Sequence, residues 1–315
     1  MCHNDKSNPF RYYDPRSLVF YKNLKVPDGI IIPTTDEGAW EHFKEFRDIY
    51  NKINVAMSQN IACAPMGIVP ENFPVFMKPI LNLHGMGLGS KILSSLEDYE
   101  NEKHLSGYFW MEYLQGEHLS HDFIVSNGKI VFCITFKGYP FDQGMFDYWE
   151  TTEIPKNLFH YIDSWLQKNL SKYSGCVNIE TIGNKIIECH LRMGDIDRLG
   201  SLELMQNIIN VYYGQKWKFN TKIPKFYLFI LWGKQNFKYS IDRNIADGIC
   251  KQLTCYDLDD PKLAHQNPPG GARIAVLCSY NKQDCIKARY KLYENFEPKP
   301  KKPILDYTDK KQELN

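Results

Sequence analysis

The sequence is short of the features that assign a chain quickly. No apolar run approaches the about 20 residues that a membrane-spanning helix needs; the most apolar, residues 226–232, has seven and reads as a buried strand. The opening residues, Met1-Cys2-His3-Asn4-Asp5-Lys6, hold no apolar core of the kind found in a secretory leader. The nine cysteines include no Cys-x-x-Cys pair, which excludes a disulfide framework or structural zinc and leaves reduced thiols in cytoplasmic surroundings as the expectation. Net charge is nearly absent: 38 Lys and Arg against 37 Asp and Glu give +1. No broad field then draws the chain to nucleic acid or to an anionic membrane, and neither is expected as a partner. Internal repeats are lacking as well.

What is present is an ordinary globular composition, 43% hydrophobic and 24% charged over 315 residues, enough to bury the cores of two or three lobes. Residues 1–37, broken by four prolines, read as an arm with one short strand at 29–32. Apolar residues at three- and four-residue spacings predict one helix over 37–60. Strands follow at 75–78, 107–113, 122–125 and 130–136, the last two joined at Asn127-Gly128, a strong two-residue hairpin signal. A helix is expected over 157–172 and a hairpin over 177–192. Residues 214–225 look like a linker. Beyond them, strand, helix, strand, strand and helix alternate into a small α/β lobe over 226–296. The proline- and lysine-rich tail, 297–315, is expected to be disordered.

Three segments carry chemistry. In the first, a buried strand ends at Lys78 and is followed by His84, Gly85, Gly87, Gly89 and Ser90. Glycines let backbone N–H groups approach phosphates with no Cβ in the way, and lysine supplies a point charge. The spacing is neither a dinucleotide fingerprint nor a Walker loop, and a plain surface loop is the alternative. In the second, Gly183-Asn184-Lys185 taken as a three-residue loop puts Ile182 opposite Ile186, Glu180 opposite Glu188 and Asn178 opposite His190. Alternation then places Asn178, Glu180, Glu188, His190 and Arg192 on one face, with Ile187, Cys189 and Leu191 on the apolar one. Two facing carboxylates repel unless a cation sits between them, and hard oxygens suit Mg²⁺. A solvated hairpin with Arg192 pairing a glutamate is the plain alternative. In the third, residues 109–118, an apolar strand runs into a short linker of the kind that can read an adenine edge, or is an ordinary strand and turn.

Taken in order, these segments resemble the ATP-grasp superfamily over residues 50–192. That resemblance implies an α/β (α+β) two-lobed nucleotide-binding fold over 38–215, with lobes at 38–106 and 107–215. Lys52 and Lys78 resemble the family's two phosphate-side basic residues. Glu112-Tyr113-Leu114-Gln115-Gly116-Glu117 resembles the hinge for adenine and ribose. The strands bearing Glu180 and Glu188-Cys189-His190-Leu191-Arg192 resemble its metal-binding pair. It departs from the pattern where His190 replaces the usual asparagine, where His118 stands at the usual ribose glutamate with Glu117 one residue early, and in a region before Lys52 too short for the usual N-terminal domain.

The resemblance implies that ATP and Mg²⁺, with Mn²⁺ as the alternative ion, are bound. Lys52, Lys78, the loop His84 to Ser90, Glu112 to Leu114, Glu117 and His118 would hold the nucleotide, and Glu180, Glu188 and His190 the metal. Arg192 and Lys78 would act in phosphoryl transfer to a small-molecule carboxylate that an amine then attacks. A phosphotransferase on the same scaffold and a nucleotide-binding module without turnover are competing readings, as is an interaction protein with no nucleotide site. A homodimer is compatible with all of them. His84, His118, His121 and Asp122 could suggest a separate metal cluster, but His121 and Asp122 adjoin on a strand and point to opposite faces, so a structural role is favoured. The aromatic stretch 139–149 reads as a lid or a packed surface loop.

Overall fold

The computed structural model describes residues 24–142, 144–258, 268 and 270–304. The chain forms two compact units, one of residues 1–137 and 151–222 and the other of 138–150 and 223–315.

In the first unit the long helix expected over 37–60 is broken twice. α1 spans Asp36–His42, a 3₁₀ segment spans Lys44–Tyr50, and α2 spans Lys52–Met57. The break before α2 has a local cause: the Asn51 side chain accepts from Asn54 N–H as an N-cap, holding Asn51 extended at ψ 99°. Lys52 thereby becomes the first residue of a new helix, its N–H donating to Ile80 O at 3.0 Å. No strand forms over 29–32. Pro27 and Pro33 flank that stretch, although Ile32 is fully buried.

Four short strands follow: β1 (Cys63–Pro65), β2 (Val75–Pro79), β3 (Lys91–Leu93) and β4 (Tyr108–Glu112). They form an antiparallel sheet in the order β1-β4-β2-β3. Both faces are covered. Val75, Met77 and Trp110 pack with Tyr99 of α3 (Leu96–Glu102), whereas Phe76, Phe109 and Met111 pack with Ile53 and Ala56 of α2. By alternation Lys78 lies on the α2 side with Phe76.

The other sheet of this unit contains β5 (His118–Ser126), β6 (Lys129–Asp142), β8 (Gly175–Ile182) and β9 (Lys185–His190), in the order β6-β5-β8-β9. The β5–β6 turn is the expected Asn127-Gly128, both with positive φ (49° and 74°), between the pair Ser126 and Lys129. One sheet face, with Phe123, Val125, Val177, Ile179, Cys189 and Leu191, packs on α4 (Lys156–Asn169) through Leu158, Ile162, Trp165 and Leu166. A short 3₁₀ turn, Ile196–Leu199, and α5 (Leu202–Tyr212) follow β9. In the presumed linker, Trp217 and Phe219 pack against Phe132, which anchors that stretch to the sheet.

The second unit holds the antiparallel order β7-β10-β12-β11, from β7 (Met145–Thr152), β10 (Tyr227–Gly233), β11 (Cys255–Leu258) and β12 (Ala272–Ser279). Two helices accompany it, α6 (Arg243–Cys250) and α7 (Lys282–Asn295). The lobe expected to be α/β is therefore α+β. The aromatic stretch read as a lid or loop is strand: Tyr139 stacks on Tyr148 at 4.2 Å, and Tyr148 on Phe229 at 4.7 Å. Alternate aromatic residues on a pleated surface meet across strands in this way. The tail expected to be disordered is held as far as residue 304. Glu297 exchanges two backbone hydrogen bonds with Ser240, Lys301 N–H donates to Trp232 O, and Arg289 Nη2 donates to Ile304 O. The rest of the tail and residues 1–23 of the arm lie outside the described residues. No helix among the described residues is long and apolar enough to cross a membrane.

Candidate active site

The site is built on the face of β8 and β9 that turns away from α4. Glu180 pairs with Glu188 across the two strands and Asn178 with His190, as alternation predicted. The loop differs from expectation. It has two residues, with Ile182 opposite Lys185, and the register is restored by a bulge between Glu180 and Thr181 on one strand and the extra residue Ile187 on the other. Ile186, not Ile187, enters the core, and the Ile187 carbonyl accepts from Lys78 Nζ at 3.0 Å.

Two buried lysines reach this face from separate segments, Lys52 at 5% exposure from α2 and Lys78 at 2% from β2. They converge because α2 packs on the side of the small sheet that carries Lys78. Lys52 Nζ lies 2.6 Å from Glu188 Oε1. Burial pushes the Lys78 ammonium down to about 8, with the neighbouring Lys52 charge adding to the effect and Glu188 opposing it. Burial disfavours ionisation of Glu188, yet the Lys52 charge, the His190 hydrogen bond and Lys78 hold it well below the usual carboxylate range.

The structure sets His190 between two carboxylates. Its Nε2 is 3.3 Å from Glu188 Oε2 and its Nδ1 is 3.0 Å from Asp36 Oδ1. Burial opposes its charge, but Asp36 and Glu188 raise it to about 9. A protonated imidazole donates from both nitrogens, which suits a ring placed between two carboxylates. Arg192 pairs through Nη2 with Asp36 Oδ2 at 3.2 Å and through Nη1 with Met193 O at 3.0 Å and Asn178 Oδ1 at 3.5 Å. Burial would raise Asp36, yet Arg192 and His190 hold its carboxyl at about 2. The outcome is a chain of alternating charge: Arg192, Asp36, His190, Glu188, Lys52.

Glu180 is held by His118, Nε2 to Oε2 at 2.9 Å. Glu117 pairs instead with Lys137. The hinge rests directly on the β8–β9 turn: Gly183 N–H donates to Glu117 O, and a Cβ on Gly116 would lie 2.8 Å from Gly183 Cα. Glu112 and Tyr113 are exposed and Leu114 half-buried. In the glycine loop, Gly85, Met86, Gly87 and Gly89 all take positive φ, and two successive turns close through Leu88 N–H to Gly85 O and Ser90 N–H to Gly87 O. His84 is tied to Glu37 at 3.1 Å. Among the described residues no hydrogen bond joins Gly85, Gly87, Gly89, Ser90 or residues 112–114 to the lysine–glutamate cluster.

Two participants were missed from the sequence. Asp36 gives no local signal, since its partners lie more than 150 positions away. Gln59 clamps β9 with both ends of its carboxamide, accepting from Ile186 N–H at 2.8 Å and donating to Ile186 O at 2.7 Å. His121 and Asp122 both make hydrogen bonds inside the fold. His121 bridges Thr135 and Thr181, and burial lowers it to about 3. Asp122 accepts from the backbone N–H groups of Gly194, Asp195 and Ile196.

As to a metal, the facing carboxylates of Glu180 and Glu188 match the one or two that Mg²⁺ takes when phosphates complete its shell. Among the described residues no three His, Cys, Asp or Glu side chains form a cage for an ion by themselves.

The same backbone arrangement recurs in solved structures. An L-amino acid ligase from Bacillus licheniformis superposes with a TM-score of 0.56 at 11% identity, covering 83% of this chain and 76% of that one. A phosphoribosylamine–glycine ligase from Thermotoga maritima gives 0.59 at 16%, covering 90% and 86%. The chain has the ATP-grasp fold. A third ATP-grasp structure, N5-carboxyaminoimidazole synthetase from Staphylococcus aureus complexed with ADP, gives 0.55 at 11%, covering 78% and 69%. No protein-family model matches the sequence, and no curated protein matches it.

Proposed function

We propose that this chain is an ATP-dependent ligase that activates a small-molecule carboxylate as an acyl phosphate and joins it to an amine. The observation that carries the reading is the convergence of buried Lys52 and Lys78 on the Glu180–Glu188 face within an ATP-grasp fold. Lys52 is paired with Glu188, whereas Lys78 Nζ donates to the neutral Ile187 carbonyl; a buried ammonium is costly without a paired counter-charge, and a polyphosphate supplies one. The similar structures include ligases by name and one complexed with ADP, which supports the reaction class.

In this reading Lys52 and Lys78 neutralise the α/β-phosphates, and the loop from His84 to Ser90 covers the β/γ end. The hinge residues Glu112, Tyr113 and Leu114 face adenine, with Glu117 or His118 at the ribose. Glu180 and Glu188 would hold Mg²⁺, which would offset phosphate charge. We assign His190 to the charge network rather than to the metal ligands. A carboxylate oxygen of the acid attacks the γ-phosphorus and ADP leaves, while Arg192 stabilises the charge in transit. The amine nitrogen then attacks the acyl carbon, phosphate leaves, and the amine's proton is released.

The test is ADP and phosphate release with pooled acids and amines, with the amide identified by mass. Lys78→Ala and Glu188→Ala should each lower turnover by about two orders of magnitude or more; near-native turnover in both would sink the assignment. A second reading, nucleotide binding without turnover, is favoured by one observation: His190 Nε2 lies 3.3 Å from Glu188 Oε2 where a metal ligand is usual. ATP binding with no ADP from any pool would select it.

A further inference from the structure

One carboxylate at the site has no place in the roles above. Asp36 is 4% exposed and stands at the first position of α1, after Thr35, whose side chain caps that helix by accepting from Gly38 N–H. The segment that delivers it is tied down: Ile32 is fully buried, and Lys25 exchanges two 2.9 Å hydrogen bonds between its backbone and the Gln206 carboxamide. The two oxygens of Asp36 are divided between two partners, Oδ1 to His190 Nδ1 and Oδ2 to Arg192 Nη2.

That division fixes two degrees of freedom. With Nδ1 bound to Asp36, the imidazole can only turn its Nε2 toward Glu188, as it does at 3.3 Å. With Nη2 bound to Asp36, the guanidinium keeps Nη1 on the Met193 carbonyl and the Asn178 side chain. A chain of buried charges is costly unless each member is paired, so removing one link releases both neighbours. The next residue, Glu37, holds His84 of the glycine loop at 3.1 Å, so the same turn of chain touches both ends of the phosphate path.

We infer that Asp36 is a positioning residue of this site, acting through its two partners to set Arg192 for the phosphoryl group and His190 for Glu188. This rests on the nucleotide-site reading above. It predicts a split in the kinetics of Asp36→Asn. The lysines that bind phosphate are untouched, so the KM for ATP should stay within about twofold, whereas an unfixed Arg192 should lower kcat by about tenfold or more. Asp36→Glu, which keeps the charge, should recover part of the loss.

Two readouts need no turnover. A slowly exchanging His190 Nδ1 proton in the NMR spectrum should be present in the native protein and lost in Asp36→Asn and His190→Asn. Labelling of Arg192 by phenylglyoxal should be faster in Asp36→Asn. If Asp36→Asn does not fold, the doubly substituted Asp36→Asn, His190→Asn protein, with the charges of that pair removed, replaces it. Its kcat should then fall below that of His190→Asn alone. Native kcat in Asp36→Asn, or an unchanged proton signal and labelling rate, overturns the inference. Absence of ATP turnover in the native protein would remove the functional reading and leave the NMR and labelling tests of Asp36 to decide.

Discussion

Asp122→Ala probes how the segment after Arg192 is held. Asp122 Oδ1 accepts from Gly194 N–H at 2.6 Å and Asn178 Nδ2 at 3.1 Å, and Oδ2 accepts from Asp195 and Ile196 N–H at 2.9 Å each. Alanine removes all four acceptor contacts. Gly194 and Asp195 are half-buried and can turn to water, and the Asn178 carboxamide keeps Ser120 Oγ and His121 O as acceptors, but the buried Ile196 N–H loses its partner outright. That loss costs about 1–3 kcal/mol, and the other three bonds about 0.5–1.5 kcal/mol each net. Part is offset, because burial raises the Asp122 carboxyl to about 6 even against these bonds, so its charge is held at a cost that alanine relieves. The net expectation is about 2–4 kcal/mol for opening this segment. Because the chain has two units, a single unfolding midpoint would blur the effect. Hydrogen exchange of a peptide covering residues 193–199 isolates it. Protection there should drop by about 30-fold to 1000-fold, the rate equivalent of that energy, with Asp122→Asn in between. Unchanged protection in Asp122→Ala would refute the reasoning, whatever its activity.

Further expectations follow from the same contacts. His190, raised to about 9 from 6.5, stabilises the fold fully below pH 6.5 and loses that contribution as pH rises through 9; Lys78, lowered to about 8, acts in the opposite sense above pH 8. Between pH 6.5 and 8 the native protein should therefore lose about 2 kcal/mol that His190→Asn does not; equal pH dependence in denaturant titrations of both proteins contradicts this. Gly128→Ala should cost about 1–3 kcal/mol for its left-handed backbone alone. A Cβ there would also lie 2.6 Å from Ser171 Cα, so a denaturation midpoint within error of native would be wrong for this turn. Gln59→Leu should free the Ile186 backbone and destabilise the β9 edge by about 2–3 kcal/mol, visible as faster exchange of the Ile186 amide; native exchange there would show that the clamp is idle.

The core of the site was legible because a strand has a period of two. Once Glu180 is set opposite Glu188, alternation alone puts Asn178 and His190 on the same face, and the structure keeps that pairing. Turn length was not legible. A three-residue loop and a two-residue loop followed by a bulge bring the same glutamates together, and only the bulge explains why Ile187 O faces Lys78. The helix break at Asn51 had a local signal in a capping residue ahead of an apolar run, outweighed in the sequence by a periodicity that runs through it. Gly138, Pro140 and Gly144 disguised two strands as a loop, although Tyr139 and Phe141, then Phe146 and Tyr148, alternate as strand residues do. Asp36 and Gln59 were illegible for a different reason. Their contacts span more than 120 positions, and no local pattern encodes a partner that far away.

The central claim is that Lys52, Lys78 and the Glu180–Glu188 face form a site for Mg²⁺–ATP. The most direct measurement is the stability of the native protein, Lys78→Ala and Glu188→Ala with and without Mg²⁺–ATP. At about a hundredfold above its Kd, the ligand should add about 2.7 kcal/mol to the native protein and little to either variant. No stabilisation of the native protein, or equal stabilisation of all three, would contradict the claim.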